Sequence, residues 1–335
     1  MRGCRVDQMS AQHSPPRGTG KGRSGQITAE KVARFGARML RVAGVRRRRH
    51  LAAAIVLGCV AAGTNAAAVL AEDILGVQPS SVTRPLSEVP NADAIVKRIW
   101  VPGIDDGFVP QGLAVVGDQL ALSGYRSTDP KQGRGPCRLL FVASTTGSVM
   151  RRIDLPATCG HAGGVAVLKD GRIVVADTFS LYAIAGGKVV ATVKLKGKLR
   201  GSFADSDGRS LWIGSYDRSG GTLWRLPPSV LDQAEIDESA AEAAVAIPER
   251  VQGLAFDHAG HAWLTVSGSR DGALLQIDAA TGQVSARYAM TPGIEDIAVD
   301  DRGWIWASSE AGSIRWSHWD ANFPVLFAID PSRLR

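Results

Sequence analysis

The sequence predicts an all-β chain. It reads as a β-propeller of five four-stranded blades, with six as the alternative, closed by an amino-terminal strand that completes the last blade. Three observations carry this. One phrase recurs five times: an alternating apolar strand, an Asp/Gly turn and a second apolar strand. Marked at Gln111, His161, Ser202, Gln252 and Glu295, the copies lie 50, 41, 50 and 43 residues apart, with 40 left to the end. A period of about 45 residues is that of a propeller blade. The last copy lacks a fourth strand, and an unassigned apolar strand, Ile95–Val101, stands just upstream of the first.

In chain order, the basic excess comes first. The 335 residues carry a formal charge of +7. Residues 1–50 hold 13 Lys+Arg against 2 Asp+Glu, residues 51–94 hold 1 against 4, and residues 95–335 hold 25 against 26. The folded body is thus near neutral, and a nucleic-acid-binding face is not expected, because such a face keeps its cations within the fold. Residues 1–50 read as a basic tail or, with Met39 as an alternative start, a misassigned beginning. Arg46–Arg49 then precede Leu51–Ala71, 21 residues without a charged side chain. That order is the layout of a signal peptide or a signal-anchor helix, so the body is expected outside the cytoplasm, secreted or held at a membrane by residues 51–71. Residues 72–94, with Pro79, Pro85, Pro90 and several serines, read as a linker, and residues 95–335 as the propeller.

Each repeat starts on a short strand: Gln111–Val115, Gly163–Val167, Ser202–Asp205, Gln252–Asp257 and Glu295–Asp300. Turns at Asp118, Asp170-Gly171, Asp207-Gly208, Asp257 to Gly260 and Asp301 to Gly303 supply the residues that tolerate positive φ. Second strands follow at Gln119–Ser123, Arg172–Ala176, Leu211–Ser215, Ala262–Ser267 and Trp304–Ser308; third strands at Arg138–Ala143, Leu181–Ala185, Gly221–Leu226, Ala273–Asp278 and Val325–Asp330. Fourth strands are expected at Val149–Leu155, Val189–Leu195, Ala243–Ile247 and Val284–Met290. Completing the fifth blade with Ile95–Val101 leaves no free sheet edge at the closure.

Trp212, Trp263 and Trp306 fall three or four residues after their turn glycines, which places the rings between blades. Pro227–Glu249 interrupts the third repeat with an acidic, Ala-rich stretch and is expected to form a solvated helix. Cys137 and Cys159 bracket the outer hairpin of the first blade at nearly opposed positions, and in an exported chain they are expected to form a disulfide.

In a propeller, the starts of the innermost strands and the ends of the second strands converge on one end of the central channel. That selects Gln111, His161, Ser202, Gln252 and Glu295, together with Tyr125-Arg126, Asp177-Thr178, Tyr216-Asp217, Ser269-Arg270 and Ser309-Glu310, as the lining of a ligand-binding mouth. Gln111, Tyr125, Arg126, Tyr216, Gln252 and Arg270 are the expected ligand contacts, joined by Trp316 and Trp319 from the long last connection, whose indoles can stack on a flat ligand. His161, Asp177, Glu295 and Glu310 offer one nitrogen and several oxygens to Ca2+ or another divalent cation, and His161 with Glu295 forms a proton-transfer pair. Capping of strand ends around a water-filled channel is the alternative for the same residues.

The phrases Pro110-Gln111-Gly112-Leu113-Ala114, Val251-Gln252-Gly253-Leu254-Ala255 and Gly293-Ile294-Glu295-Asp296-Ile297-Ala298 resemble those of the gluconolactonase-like, NHL and YVTN propellers over about residues 95–335. Enzymes of the gluconolactonase-like family hold a divalent metal with a Glu, two Asn and an Asp at the mouth. The resemblance implies that Glu295 and Asp177 match the acidic members, while Gln111, His161 and Gln252 stand where asparagines would. The functional expectation is a monomeric, exported propeller binding a small molecule, glycan or cell-envelope partner at its mouth. The alternatives are a metal-dependent hydrolase or lyase and a protein-interaction scaffold working through the acidic insertion.

Overall fold

Alternating apolar residues and Asp/Gly turns fold each repeat into an antiparallel meander, and five such sheets surround one axis in the computed structural model, which describes residues 74–335. The expectations for residues 1–50 and 51–71 lie outside the described residues. Blade 1 runs Phe108–Val116, Gln119–Arg126, Cys137–Ala143 and Val149–Asp154; blade 2 runs Gly164–Val167, Ile173–Asp177, Ser180–Ala185 and Lys188–Leu195. Blade 3 comprises Phe203–Ser206, Leu211–Gly214, Gly221–Leu226 and Ala243–Ile247; blade 4 comprises Val251–Phe256, Ala262–Ser267, Gly272–Ile277 and Val284–Met290. Blade 5 supplies Ile294–Val299, Ile305–Ser309 and Val325–Ile329, and its fourth strand is Ile95–Trp100, antiparallel to the third with Arg98 opposite Phe327. The innermost strands touch in ring order, the last against the first.

Two elements differ from expectation. Residues 74–94 are not a free linker. Ile74–Leu75 adds a parallel fifth strand to blade 5, with Ile74 opposite Arg98, and the following residues lie along the propeller. Pro227–Glu249 contains no α-helix; after a 3-10 turn, Glu235–Ile236 pairs in parallel with Lys194–Leu195 and caps the outer edge of blade 2 before the chain returns to blade 3. Pairing of an open edge overrides the helix propensity of an Ala-rich stretch.

The tryptophans lie between blades and are tied to their own turns. The indole N–H of Trp212, Trp263 and Trp306 donates to Asp207, Asp257 and Asp300 at 2.8, 3.0 and 3.1 Å. Each ring is almost fully buried, so its one polar atom needs that partner.

Five blades leave a narrow axis. A Cβ on Gly112 would lie 2.7 Å from the carbonyl carbon of Gly164, and one on Gly253 would lie 2.6 Å from the Cα of Asp296. No side chain fits at those glycines. At the same phase, blade 5 carries Asp296 instead. Its fully buried carboxylate accepts from the backbone N–H of Leu113 (3.0 Å), Val165 (3.3 Å) and Leu254 (3.2 Å), the residues that follow the phase glycines of blades 1, 2 and 4. One side chain thus ties four blades at the axis. Asp205 of blade 3 accepts from Phe256 N at 2.9 Å and ties blade 3 to blade 4.

Candidate functional site

Where the innermost strands begin, the axis opens into a cavity of about 680 Å³. Irregular pairing shapes its floor. The registers of blades 1, 4 and 5 shift at Pro110/Leu113, Val251/Gly253 and Ile294/Ile297, the positions that carry Gln111, Gln252 and Glu295. Such bulges re-aim side chains near the end of a strand.

The floor is a pair of carboxyls. Glu310 lines the cavity, and Glu295 lies buried beside it, the two carboxyls close enough to perturb each other. Each is held by a glutamine amide: Gln111 Nε2 donates to Glu310 Oε2 at 3.0 Å, and Gln252 Nε2 to Glu295 Oε1 at 3.3 Å. Burial pushes both carboxyls above the ordinary range, and the negative charges of Glu310 and Asp296 raise Glu295 further, while Trp316, Arg315 and Gln111 oppose the rise at Glu310. Two buried carboxyls in contact do not both ionise near neutrality; they share a proton.

The wall from blade 2 is built differently. Asp177, at the end of the second strand, directs Oδ1 at the backbone N–H groups of Gly160, His161 and Ala162 (3.2, 2.6 and 3.1 Å), and Ala162 takes a positive φ of 54° to complete that wrap. The Cys137–Cys159 disulfide, with Cα atoms 5.8 Å apart, fixes the start of the same turn. His161 lines the cavity, stacks on Tyr125 at 5.0 Å between centroids and turns Nδ1 to the carbonyl of Gly133 at 3.1 Å. Burial lowers its pKa, so it is neutral there.

A further part of the wall is aromatic. Trp316 and Trp319 both line the cavity and stack on each other with centroids 4.6 Å apart. Their loop is fastened by the segment read as linker. Arg84 Nη2 donates to the carbonyls of Ser317 (3.2 Å) and Trp319 (2.9 Å), and Asn322 Nδ2 donates to those of Arg84 and Pro85 at 2.9 Å each. Ser87 N returns a bond to Asn322 O at 2.9 Å. Upstream, the two oxygens of Asp105 accept from Ser80 and Ser81, which hold that carboxyl at a pKa of about 2. Residues 80–87 are therefore a strap on the loop that carries the indoles.

The structure brings together Gln111, His161, Tyr216, Gln252, Glu310, Trp316 and Trp319 at the cavity, with Thr178, Ser202 and Ser269. Others fall elsewhere. Tyr125 is fully buried beneath the wall, and its hydroxyl accepts from Arg315. Arg126 turns outward to the carbonyl of Asp106 at 2.6 Å, and Arg270 is exposed away from the lining. The four expected metal ligands do not converge. Asp177 Oδ1 and His161 Nδ1 are already occupied, and among the described residues no three of the four have ligand atoms within 4.8 Å of one another. The residues present do not fit the metal centre the resemblance implies. Arg218, Arg250 and Arg315 also line the cavity and were missed from sequence. Arg315 directly precedes Trp316 and was within reach of that reasoning; Arg218 and Arg250 sit in connections without a repeat signal.

No family model matches the sequence, and no curated protein sequence matches it. Among solved structures, the chain is similar to a glutaminyl cyclase from Myxococcus xanthus, at TM-score 0.50 and 18% identity over 70% of this chain and 94% of that one. It also aligns with a PQQ-bound aldose sugar dehydrogenase from Streptomyces coelicolor (TM-score 0.37, 16% identity, 60% and 74% covered) and a streptogramin B lyase (0.35, 14%, 63% and 64%). At these identities the likeness is one of fold: the chain has the architecture of the propeller group its repeats resemble.

Proposed function

We propose that this propeller binds a polar small molecule in its mouth and moves a proton to or from it through the Glu295–Glu310 pair. One observation carries the reading: two neighbouring buried carboxyls, both raised by burial, lie at the base of an open cavity, with Glu310 on its lining. A group kept protonated near neutral pH beside an open space is what general acid–base catalysis needs. The volume of about 680 Å³ suits a small molecule or the end of a peptide. The stacked indoles give a flat group of that ligand a surface to lie on. A metal-dependent hydrolysis is not proposed, since its ligand set does not assemble.

In this reading Glu310 faces the ligand and exchanges its proton with Glu295, while Gln111 and Gln252 hold the two carboxyls in place. His161, neutral and fixed by Gly133, is a wall and not a base. The disulfide supports an oxidising compartment. We place the protein outside the cytoplasm, released after cleavage or held by residues 51–71.

The glutaminyl cyclase with which the chain shares its fold acts, by its name, on a glutaminyl group, so a glutaminyl dipeptide is the first compound to assay. Cyclisation forms a C–N bond from the α-amine to the side-chain carbonyl and breaks the bond to ammonia; one proton leaves the amine and one joins the ammonia. The shared proton at Glu310 serves both transfers. Ammonia release by the wild type, reduced by roughly 10²-fold or more in Glu310→Gln, is the expected result. A wild type that binds the dipeptide without releasing ammonia would leave a binding mouth without this reaction. A protein showing neither binding nor release would end the reading.

A further inference from the structure

Arg315 is not used by the proton-transfer pair. Its side chain is 8% exposed and lines the cavity. Among the described residues no carboxylate oxygen stands within 4.0 Å of its guanidinium nitrogens. Nη1 donates to the Tyr125 hydroxyl, Nη2 to the carbonyl of Pro130 at 3.4 Å, and the guanidinium lies 4.0 Å from the ring centroid of Trp316. Its Nε–H is buried without an acceptor. The other cations of the mouth are differently placed: Arg250 is paired with both oxygens of Asp271 at 3.0 Å each, and Arg218 is exposed at the rim.

A buried guanidinium whose direct hydrogen-bond partners are all neutral, with one N–H unpaired and only the Glu310 carboxyl beyond contact distance to offset its charge, is expensive to maintain in a fold. Burial of that kind is offset when an opposite charge arrives with hydrogen-bond geometry. The missing partner must be an acceptor that reaches the cavity, carries negative charge and is small. A neutral carbonyl satisfies the N–H and leaves the charge uncompensated. A dianion brings a second charge that the Glu295–Glu310 pair, itself negative, opposes.

We propose that the ligand of the mouth carries a carboxylate, and that Arg315, whose side chain lines the cavity, is its recognition residue. The proposal rests on the mouth being a ligand site and specifies the ligand as a small carboxylic acid with a second polar group. The acid end lies at Arg315 against the face of Trp316, and the other end lies over Glu310. Trp316 stands next to both Arg315 and Glu310, so the two ends of a small ligand can be held in one part of the cavity.

The full-length protein is titrated with two matched pairs, acetate against acetamide and N-acetylglycine against N-acetylglycinamide, and read by tryptophan fluorescence and by the shift in melting temperature. The acid of each pair is expected to bind about tenfold or more tightly than its amide, the difference between a charge-assisted and a neutral hydrogen bond. Arg315→Met removes the preference; Arg315→Lys, which keeps the charge, retains part of it; Asp301→Ala, at an exposed turn away from the cavity, leaves it in place. If Arg315→Met does not fold, the wild-type ratio and the Lys variant still decide. Equal or tighter binding of the amides, or an acid preference that survives Arg315→Met, overturns the proposal. Amide binding that depends on Glu310 and not on Arg315 does so while leaving the mouth as a ligand site. No binding by any of the four compounds removes both.

Discussion

Replacing Asp296 with alanine tests whether one side chain holds the ring together. Asp296→Ala deletes the acceptor of three backbone N–H groups, those of Leu113, Val165 and Leu254 at 3.0, 3.3 and 3.2 Å, each on a different blade. A buried donor left without a partner costs about 1–3 kcal/mol, so the simple sum is about 3–9 kcal/mol. Water entering along the axis re-satisfies part of this, and an expected loss of about 3–5 kcal/mol follows. That is a large share of the 5–15 kcal/mol or so that a domain has in total. At about 2–4 °C per kcal/mol for a domain near this size, the melting temperature falls by roughly 6–20 °C. Asp296→Asn should cost less, about 1–3 kcal/mol, because its carbonyl oxygen keeps either the Leu113 and Val165 bonds or the Leu254 bond while its amide meets a donor with a donor. Asp301→Ala, an exposed turn residue, is the control and should stay within about 0.5 kcal/mol. Urea titration followed by far-UV circular dichroism measures all three. An Asp296→Ala protein within about 1 kcal/mol of wild type, with an unchanged slope in urea, would refute the staple.

Two further outcomes follow from the same geometry. Asp205 is raised to about 7, and Asp296, Glu295 and Glu310 are also raised, chiefly by burial. The folded state therefore holds protons that the unfolded chain releases above its ordinary carboxylate pKa of about 4, and this stability is complete below about pH 4 and lost as pH rises through about 7. The surface carboxyls with lowered pKa, such as Asp105 at about 2, act oppositely and lose their contribution only below about pH 4. Melting temperature is expected to peak near pH 4–5 and fall toward pH 8; a steady rise from pH 5 to 8 would contradict the assignment. Separately, Asn322→Ala removes the strap's two bonds to Arg84 and Pro85. Amide exchange in residues 312–320 should accelerate by about tenfold, the equivalent of about 1.4 kcal/mol, with blades 2 and 3 unchanged. Unaltered exchange in that loop, or equal acceleration in every blade, would show that the strap does not position the indoles.

Much of the architecture was legible because propeller strands are local. Each hairpin is specified by apolar alternation and an Asp/Gly turn within about a dozen residues, so the strand Val284–Met290 was placed residue for residue and Ala243–Ile247 likewise. The closing strand was legible because Ile95–Trp100 is an apolar strand upstream of the first repeat and belongs to no meander of its own. Cys137 and Cys159 were legible because hairpin register sets which positions oppose. The strap was not. Residues 80–87 have no periodicity, and their partners, Asp105, Ser317, Trp319 and Asn322, lie up to 238 positions away. The acidic insertion was misread because helix propensity is a local property, and the open edge of blade 2 that captured Glu235–Ile236 is not.

The candidate site divides the same way. Repeat phase placed Gln111, Gln252 and Glu310 at the mouth, since every innermost strand begins and every second strand ends there, and the long last connection placed the two indoles beside them. Phase also put Asp296 where other blades carry glycine. What the sequence by itself determined, then, was a propeller of five blades or six, the strand that closes it and the ring of residues facing one end of the axis; the structure settled the count at five. Only the tertiary structure decided which of those residues are free to act. Asp177 is consumed by three N–H groups of its own blade, Tyr125 is buried under Arg315, and Glu295 and Glu310 are pressed into sharing a proton. Hydrogen-bond saturation and desolvation are set by what closes over a side chain from other blades, and no repeat pattern along one strand carries that information.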